Sequence, residues 1–378
     1  MTFIHTTHVG SLPRTPELAA MLIQRDHGKD IDLPAFDALV SAEIEKAVRA
    51  QVEAGVSIVS DGELGKVGYS TYITARLSGF GGHVDRTPAK DLADLPELRT
   101  KLAAIMGAQS FVRASCIGKV ELVDSQPVAD DIRRFSAAMG KEGRSVRGFM
   151  NAASPGLVTA FQPNQFYPSH EAYLADLIEA MRPEYEAIIA AGFDLQLDAP
   201  DLAMAAHTGF QGLSEAEFLK RAAQNVEALN AATANIPPER MRMHICWGNY
   251  EGPHDHDIEL EKVIDIVLKA RPRQLLFEGA NPRHEHEWIV WRDARVPDDT
   301  VLVPGLIDSC SNYVEHPELI AQRIERYAAI VGADRVIAGT DCGFGTFAGY
   351  GKIDPAVTWK KLRVLREGAD LAAKRLNR

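Results

Sequence analysis

Residues 241–246 read Met241-Arg242-Met243-His244-Ile245-Cys246, and a second short apolar run follows at Gln274-Leu275-Leu276-Phe277. Between them Ile258–Ala270 carries apolar residues at helical spacing, so the stretch is strand, helix, strand. A strand followed by a helix and a second strand of this length is the βαβ unit of a parallel sheet. The same alternation runs outward in both directions. Strands are expected at Phe3–Val9, Ser57–Ser60, Val146–Met150, Asp194–Leu197, Met241–Cys246, Gln274–Phe277, Thr300–Pro304 and Arg335–Ala338. Helices are expected at Ala42–Ala54, Glu171–Ala191, Ser214–Ala231, Ile258–Ala270, Pro317–Val331 and Ala356–Lys374. Ser214 with Glu217 reads as a capping box, and Gly55, Gly192 and Gly332 fall where helices end.

Eight strands alternating with helices predict an α/β chain, a single (β/α)₈ TIM barrel. No Gly-x-Gly-x-x-Gly follows the first strand, which removes the main signature of a dinucleotide fold. Residues 80–145 are less regular, hold the strand-like Lys119–Val123, and are expected to be an insertion after the second strand. Residues 1–378 are thus read as one catalytic barrel domain.

Composition sets the class. The chain has 378 residues, 46% of them hydrophobic and 25% charged, as a core-forming globular protein does. With 41 Lys and Arg against 52 Asp and Glu, the formal charge is −11. That balance argues against a nucleic-acid partner, whose phosphates need a basic surface. No run approaches ~18 apolar residues, so no membrane span is expected. The N-terminus has no basic segment followed by an apolar one, so the cytoplasm is the expected location. Four cysteines are too few for a disulfide scaffold. The oligomeric state is left open, a homo-oligomer included.

Barrel active sites lie where the strands run into the following loops. The polar residues at those ends are Gly10 and Ser11, Asp61-Gly62-Glu63, Asp198, His244 and Cys246, Glu278, Asp308 and Cys342. Glu278 follows Cys246 by one strand-plus-helix unit, and Cys342 follows Glu278 by two. Four metal-binding side chains, His244, Cys246, Glu278 and Cys342, are therefore expected on one rim. Two thiolates, an imidazole and a carboxylate suit Zn²⁺ far better than Mg²⁺ or Ca²⁺. His5, His8, His284 and His286 offer alternative nitrogen ligands.

These residues resemble a known family. His244-Ile245-Cys246, Glu278 in Phe277-Glu278-Gly279-Ala280, and Asp341-Cys342-Gly343 resemble the zinc motif of cobalamin-independent methionine synthase. Val9-Gly10-Ser11-Leu12-Pro13-Arg14 is similar to the Gly-Ser-Phe-Pro segment that opens that family's catalytic barrel. Asp61-Gly62-Glu63 is similar to its Gly-Glu loop, and Leu195-Gln196-Leu197-Asp198 to its Gln-Ile-Asp-Glu-Pro strand. The resemblance implies a (β/α)₈ barrel and a zinc-bound homocysteine thiolate that receives a methyl group. It implies the ligands His244, Cys246, Glu278 and Cys342, and homocysteine contacts at Ser11, Glu63 and Asp198.

The departures are specific. The chain is about half the length of a full methionine synthase, which carries a second, folate-holding barrel. Asp308-Ser309-Cys310-Ser311 stands where the family shows Asp-Ile-His-Ser, so Cys310 replaces a histidine linked to folate protonation. Ala153-Ser154-Pro155-Gly156-Leu157-Val158-Thr159 replaces the folate-facing Thr-Gly-Pro-Val-Thr-Ile. Half-length relatives include core methionine synthases with other methyl donors and epoxyalkane:coenzyme M transferases, in which a zinc-bound thiolate opens an epoxide. The partners expected are a small-molecule thiol and an alkyl donor.

A free alkyl thiol has a pKa near ~8.5 and needs a metal to ionise at neutral pH. Gly10 and Ser11 are candidate donors to a substrate carboxylate, and Arg283 is a candidate partner for a carboxylate or sulfonate. General-acid candidates for the leaving group are His207, His284, His286 and Tyr69. A uroporphyrinogen-type decarboxylase on the same fold has no use for two thiolates and a histidine. A non-catalytic zinc-binding protein would hold four inert ligands, without an exchangeable carboxylate.

Overall fold

The computed structural model of the chain describes residues 3–82, 84, 87–105, 114–142, 146–349 and 351–377. Its principal strands are β1 (His5–Thr6), β2 (Ile58–Ser60), β3 (Arg147–Ala153), β4 (Asp194–Asp198), β5 (Met241–His244), β6 (Gln274–Phe277), β7 (Val301–Pro304) and β8 (Ile337–Ala338). Strands β2 to β7 form one six-stranded parallel sheet in chain order, and β1 pairs with β8 in parallel. Parallel bridges Leu302↔Val336 and Gly305↔Gly339 extend the β7 edge towards β8. Beside the opposite edge, the Ser57 N–H donates to the Thr6 carbonyl at 3.1 Å. The result is a mixed α/β fold around a curled parallel sheet, a half-barrel with its two outer edges turned towards the β1–β8 pair.

Each of the eight expected barrel strands is present, with different ends. β1 is confined to His5–Thr6, and β5 stops at His244, so Cys246 lies on the loop and not in the strand. Residues 80–145 depart further from the expectation, and 83, 85–86, 106–113 and 143–145 fall outside the described residues. Lys119–Val123 is not a strand; it holds one antiparallel bridge, Leu77↔Leu122. The pairing there is Phe80–Gly81 against Ser115–Cys116. Gln126–Glu142 is a regular helix packed on Leu33–Glu53, and it leads the chain back to β3. Its apolar face, Val128, Phe135 and Ala138, recurs at helical spacing and is buried.

Local chemistry explains the helix ends. Ser214 accepts from the Glu217 N–H while the Glu217 carboxylate accepts from the Ser214 N–H, the reciprocal capping predicted. Leu33–Glu53 begins well before the expected Ala42, because Asp32 caps it and Pro34 suits its first turn. Gly55, Gly192 and Gly332 take positive φ just past their helices.

Period-two alternation sorts side chains between two layers. Met241 and Met243 face the helices, in the main core with Leu195, Leu197, Leu275 and Phe277. On the other face Ile58, Phe149, Leu276, Val303 and Ile337 form a smaller cluster inside the curl. Arg242 and His244 share that inner face, with the Arg242 guanidinium 3.7 Å from the Phe149 ring centroid. The alternation therefore delivers His244 to the end of the sheet's inner face.

A buried ion pair ties the segment after β2 to the helix His170–Ala190. Arg76 Nη1 donates to Glu184 Oε2 at 2.8 Å, and both side chains are almost fully buried. Arg76→Met would leave the Glu184 carboxylate without its partner and is expected to cost about 3–5 kcal/mol. Urea unfolding is the measurement, and Arg76→Met combined with Glu184→Gln should recover most of the loss.

Candidate metal centre and substrate cavity

His244 at the end of β5, Cys246 two residues later and Cys342 beyond β8 offer ligand atoms that lie within 4.8 Å of one another. Cys342 Sγ is 3.6 Å from His244 Nε2 and 3.9 Å from Glu278 Oε1. All four side chains are buried. Glu278 stands just past β6, where its Oε1 accepts the Trp247 N–H at 2.8 Å and its Oε2 accepts the Asn281 amide at 2.7 Å. The structure thus brings the four expected residues to one rim, three in a tight cluster and Glu278 at its margin.

Their electrostatics fit a cation. Burial, with Arg242 nearby, lowers the His244 pKa to about 3, so the imidazole is neutral and has a lone pair to give. The adjacent Cys246 sulfur and burial push the Cys342 thiol well above its usual range, and burial raises the Glu278 carboxyl. Several buried groups that resist ionising together are what a divalent ion stabilises in ionised form.

Asp341 explains how the rim is held, and sequence reading noted it only as part of the Asp-Cys-Gly motif. Its carboxylate accepts the N–H groups of Gly279, Ala280 and Asn281 at 2.8–2.9 Å and the Asn281 amide at 3.0 Å. One side chain next to Cys342 thereby fixes the loop that carries Glu278. Burial and Glu278 raise its pKa to about 7.

A cavity of about 380 Å³ opens onto this cluster, a size that suits a small ligand. His244, Cys246 and Cys342 line it, and Ser11, Glu63 and Asp198 line it too. Tyr69, Phe161, Met204, Tyr250 and Phe347 give apolar wall, and Leu92, Arg99 and Leu102 come from the short helices Lys90–Ala93 and Pro96–Ile105. Arg99 was missed in the sequence because nothing in its local pattern marks a helix that folds over a barrel mouth.

The two acidic residues are held with care. Asp198 accepts from the Asn151 amide at 3.1 Å and the Gln196 amide at 3.1 Å. Glu63 has φ +53°, a conformation uncommon outside glycine, and its N–H donates to Asp61 Oδ1 at 3.0 Å. Lys66 Nζ lies 4.0 Å from Glu63 Oε2. Burial raises Glu63 to about 7 and Asp198 to about 6.

Other expected site residues lie elsewhere. Gly10 is not among the cavity residues, and its N–H is spent on His8 Nδ1 at 3.2 Å, so Ser11 is the donor left facing the space. Arg283 and His286 are exposed and outside the cavity lining. His207 and His284 are buried outside it, next to Asp257 at 3.2 and 3.0 Å. Of the four acid candidates, Tyr69 lines the cavity. Among the alternative nitrogen ligands, His8 is buried against Gln51 at 2.7 Å, and His5 bonds Ser57 at 3.1 Å. Cys310 Sγ lies 3.2 Å from Asn249 Oδ1, one step behind the wall.

Comparison with known proteins finds relatives in sequence and in fold. The family model for the catalytic domain of cobalamin-independent synthase matches residues 3–89. A methionine synthase of Thermococcus kodakarensis is 22% identical, over 100% of this chain and 96% of its own length. A 5-methyltetrahydropteroyltriglutamate--homocysteine methyltransferase of Synechococcus is 24% identical over 90% of this chain, which spans 40% of that longer protein. The structure of a B12-independent methionine synthase from Shewanella, in complex with selenomethionine, superposes with a TM-score of 0.73 at 19% identity, covering 99% of both chains. With a soft-ligand cluster, a carboxylate-lined cavity and relatives matched end to end, the chain is similar throughout its length to the cobalamin-independent methionine synthase family.

Proposed function

We propose that the chain is a zinc-dependent thiol S-alkyltransferase that methylates homocysteine. The observation that carries this reading is one cavity with His244, Cys246 and Cys342 together with the carboxylates of Glu63 and Asp198. A thiol amino acid has the complementary ends, a sulfur for a soft metal and an ammonium for the acids. The eight strands are read as a closed (β/α)₈ barrel in a single domain, with residues 80–145 as its insertion after the second strand.

His244, Cys246, Cys342 and Glu278 would hold Zn²⁺, which deprotonates a substrate thiol at neutral pH. Glu278 is the ligand suited to give way. Its two oxygens already have the Trp247 N–H and the Asn281 amide as donors, so the carboxylate does not end unpaired when it withdraws. Glu63 and Asp198 take the substrate ammonium, and Ser11 Oγ donates to its carboxylate. The apolar wall of Phe161, Met204 and Phe347 excludes water from the reacting sulfur. Tyr69, on the same wall, is placed to pass its proton to a leaving amine or alkoxide.

Arg99 favours a second reading, in which a thiol bearing a sulfonate, coenzyme M, opens an epoxide. The buried acids oppose it, since a sulfonate brings no cation to Asp198 and leaves Glu63 with Lys66 alone, 4.0 Å away.

Zinc-edge X-ray absorption with and without homocysteine tests the function. An added sulfur scatterer and a weakened oxygen contribution are expected, and methionine should form from a methyl donor under mass-spectrometric assay. An unchanged metal shell at saturating homocysteine would overturn the reading.

A further inference from the structure

Behind the rim lies a second cluster outside the cavity. His254 Nδ1 and His284 Nε2 both point at Asp257 Oδ2, at 2.9 and 3.0 Å, and the three ligand atoms lie within 4.8 Å of one another. The far nitrogen of each ring is also engaged. His254 Nε2 meets the Tyr250 carbonyl at 2.9 Å, and His284 Nδ1 meets Glu287 Oε2 at 2.9 Å. A far nitrogen held by a carbonyl or carboxylate is how proteins orient imidazoles that bind metal. Those far partners only accept, so a neutral ring must place its one proton there. The near nitrogens of neutral rings would turn lone pairs towards a carboxylate oxygen, so each needs either a second proton, which the neighbouring acids favour by raising both histidines, or a metal ion that displaces those protons.

A second observation points the same way. His207 Nδ1 lies 3.2 Å from the other Asp257 oxygen, Oδ1, and neither atom has a hydrogen-bond partner although both side chains are almost fully buried. Asp91 Oδ1 is likewise buried and unbonded, while its Oδ2 accepts from the Tyr250 hydroxyl at 2.6 Å and the His254 N–H at 3.2 Å. Buried polar atoms without partners are rare, and several in one place call for a missing group.

We propose that His254, Asp257 and His284, with His207 beside them, bind a second divalent transition-metal ion of the zinc class. Imidazole and carboxylate ligands suit Zn²⁺ over Mg²⁺ or Ca²⁺. The ion joins the loop after β5 to the turn at Glu285–Glu287 after β6. Its role is positional. Trp247 stacks on His284 with centroids 4.2 Å apart and donates its backbone N–H to Glu278, so the second site braces the segment between Cys246 and Glu278.

The test is a Co²⁺ titration of the metal-stripped full chain. Thiolate ligands give Co²⁺ a near-ultraviolet charge-transfer band, and nitrogen and oxygen ligands give only weak visible bands. About two equivalents are expected per chain, one with the thiolate band and one without it. Asp257→Asn and His284→Gln should each bind about one equivalent and keep the thiolate band, whereas Cys342→Ser should keep about one equivalent and lose it. A single equivalent carrying the thiolate band overturns the second site and leaves the first. A single equivalent without the band does the reverse. If both variants unfold by near-ultraviolet circular dichroism, anomalous diffraction of zinc-loaded wild-type crystals decides. A peak between His254, Asp257 and His284 supports the site, and no peak there overturns it.

Discussion

Cys342→Ser is expected to abolish zinc at the rim and to lower thiol alkylation by at least ~100-fold, the upper end of what losing a mere supporting partner of a metal ligand costs. The reason is chemical more than steric. Serine is nearly isosteric, and the backbone at this position is held independently, since Thr340 Oγ1 donates to the Cys342 carbonyl at 2.9 Å and Asp341 ties the neighbouring loop. The fold should therefore survive, with an unchanged melting midpoint in the metal-free state. A hydroxyl does not ionise for zinc as a thiol does, so the proposed site would lose a charged ligand and keep His244, Cys246 and Glu278. Metal content by plasma mass spectrometry and turnover with homocysteine are the paired readouts. Full zinc affinity in the variant would remove Cys342 from the ligand set.

The sequence was informative wherever chemistry coincided with periodicity. His244 was legible because it ends a buried strand, and Cys246 because it lies two residues beyond that end, where barrels carry their site residues. Glu278 and Cys342 are expected on the same rim from the strand spacing, and the structure puts Glu278 Oε1 3.9 Å from Cys342 Sγ, at the margin of the His244, Cys246 and Cys342 cluster. Loop convergence was not legible. His254 and Asp257 sit in a polar turn, Glu251–Asp257, whose pattern reads as solvent-exposed, yet Asp257 is almost fully buried among three histidines. His207 and His284 are general-acid candidates on rim loops in the sequence, and tertiary packing draws them to Asp257 instead. The helix Gln126–Glu142 was hidden inside an irregular region because its neighbours are broken by short turns, although its apolar spacing is regular. Gly10 shows a subtler limit. Its backbone N–H was a fair candidate for a carboxylate, but His8, two residues earlier, accepts it.

Asp198→Asn is expected to raise the homocysteine KM by ~10- to 100-fold, the worth of about 1.5–3 kcal/mol for a hydrogen bond to a charged group, while rim zinc stays bound. The pH dependence follows from the same pair of acids. Burial raises Glu63 to about 7 and Asp198 to about 6, well above their values in an unfolded chain. Between the ordinary carboxylate range and those raised values the folded protein holds protons that the unfolded chain has released. The unliganded protein therefore loses stability as pH rises from ~4.5 to ~7, where linkage makes the folded state the better proton binder. Binding of an ammonium group runs in the opposite sense, because it needs the acids ionised. Homocysteine should bind more tightly as pH climbs through 6 to 7, and the pair should titrate as a unit rather than as two separate residues. With Asn at 198 one ionisation is gone, so the pH profile of kcat/KM should flatten on its acid side. The Asn151 and Gln196 amides that donated to the carboxylate now face a neutral group, and Asp198→Asn should not strengthen binding at any pH. A thiol without an amine, such as coenzyme M, has nothing to lose by the substitution. If its alkylation proceeds unaltered in the variant and homocysteine is not turned over by the wild type, the acids are not an ammonium site and the epoxide-opening reading takes its place.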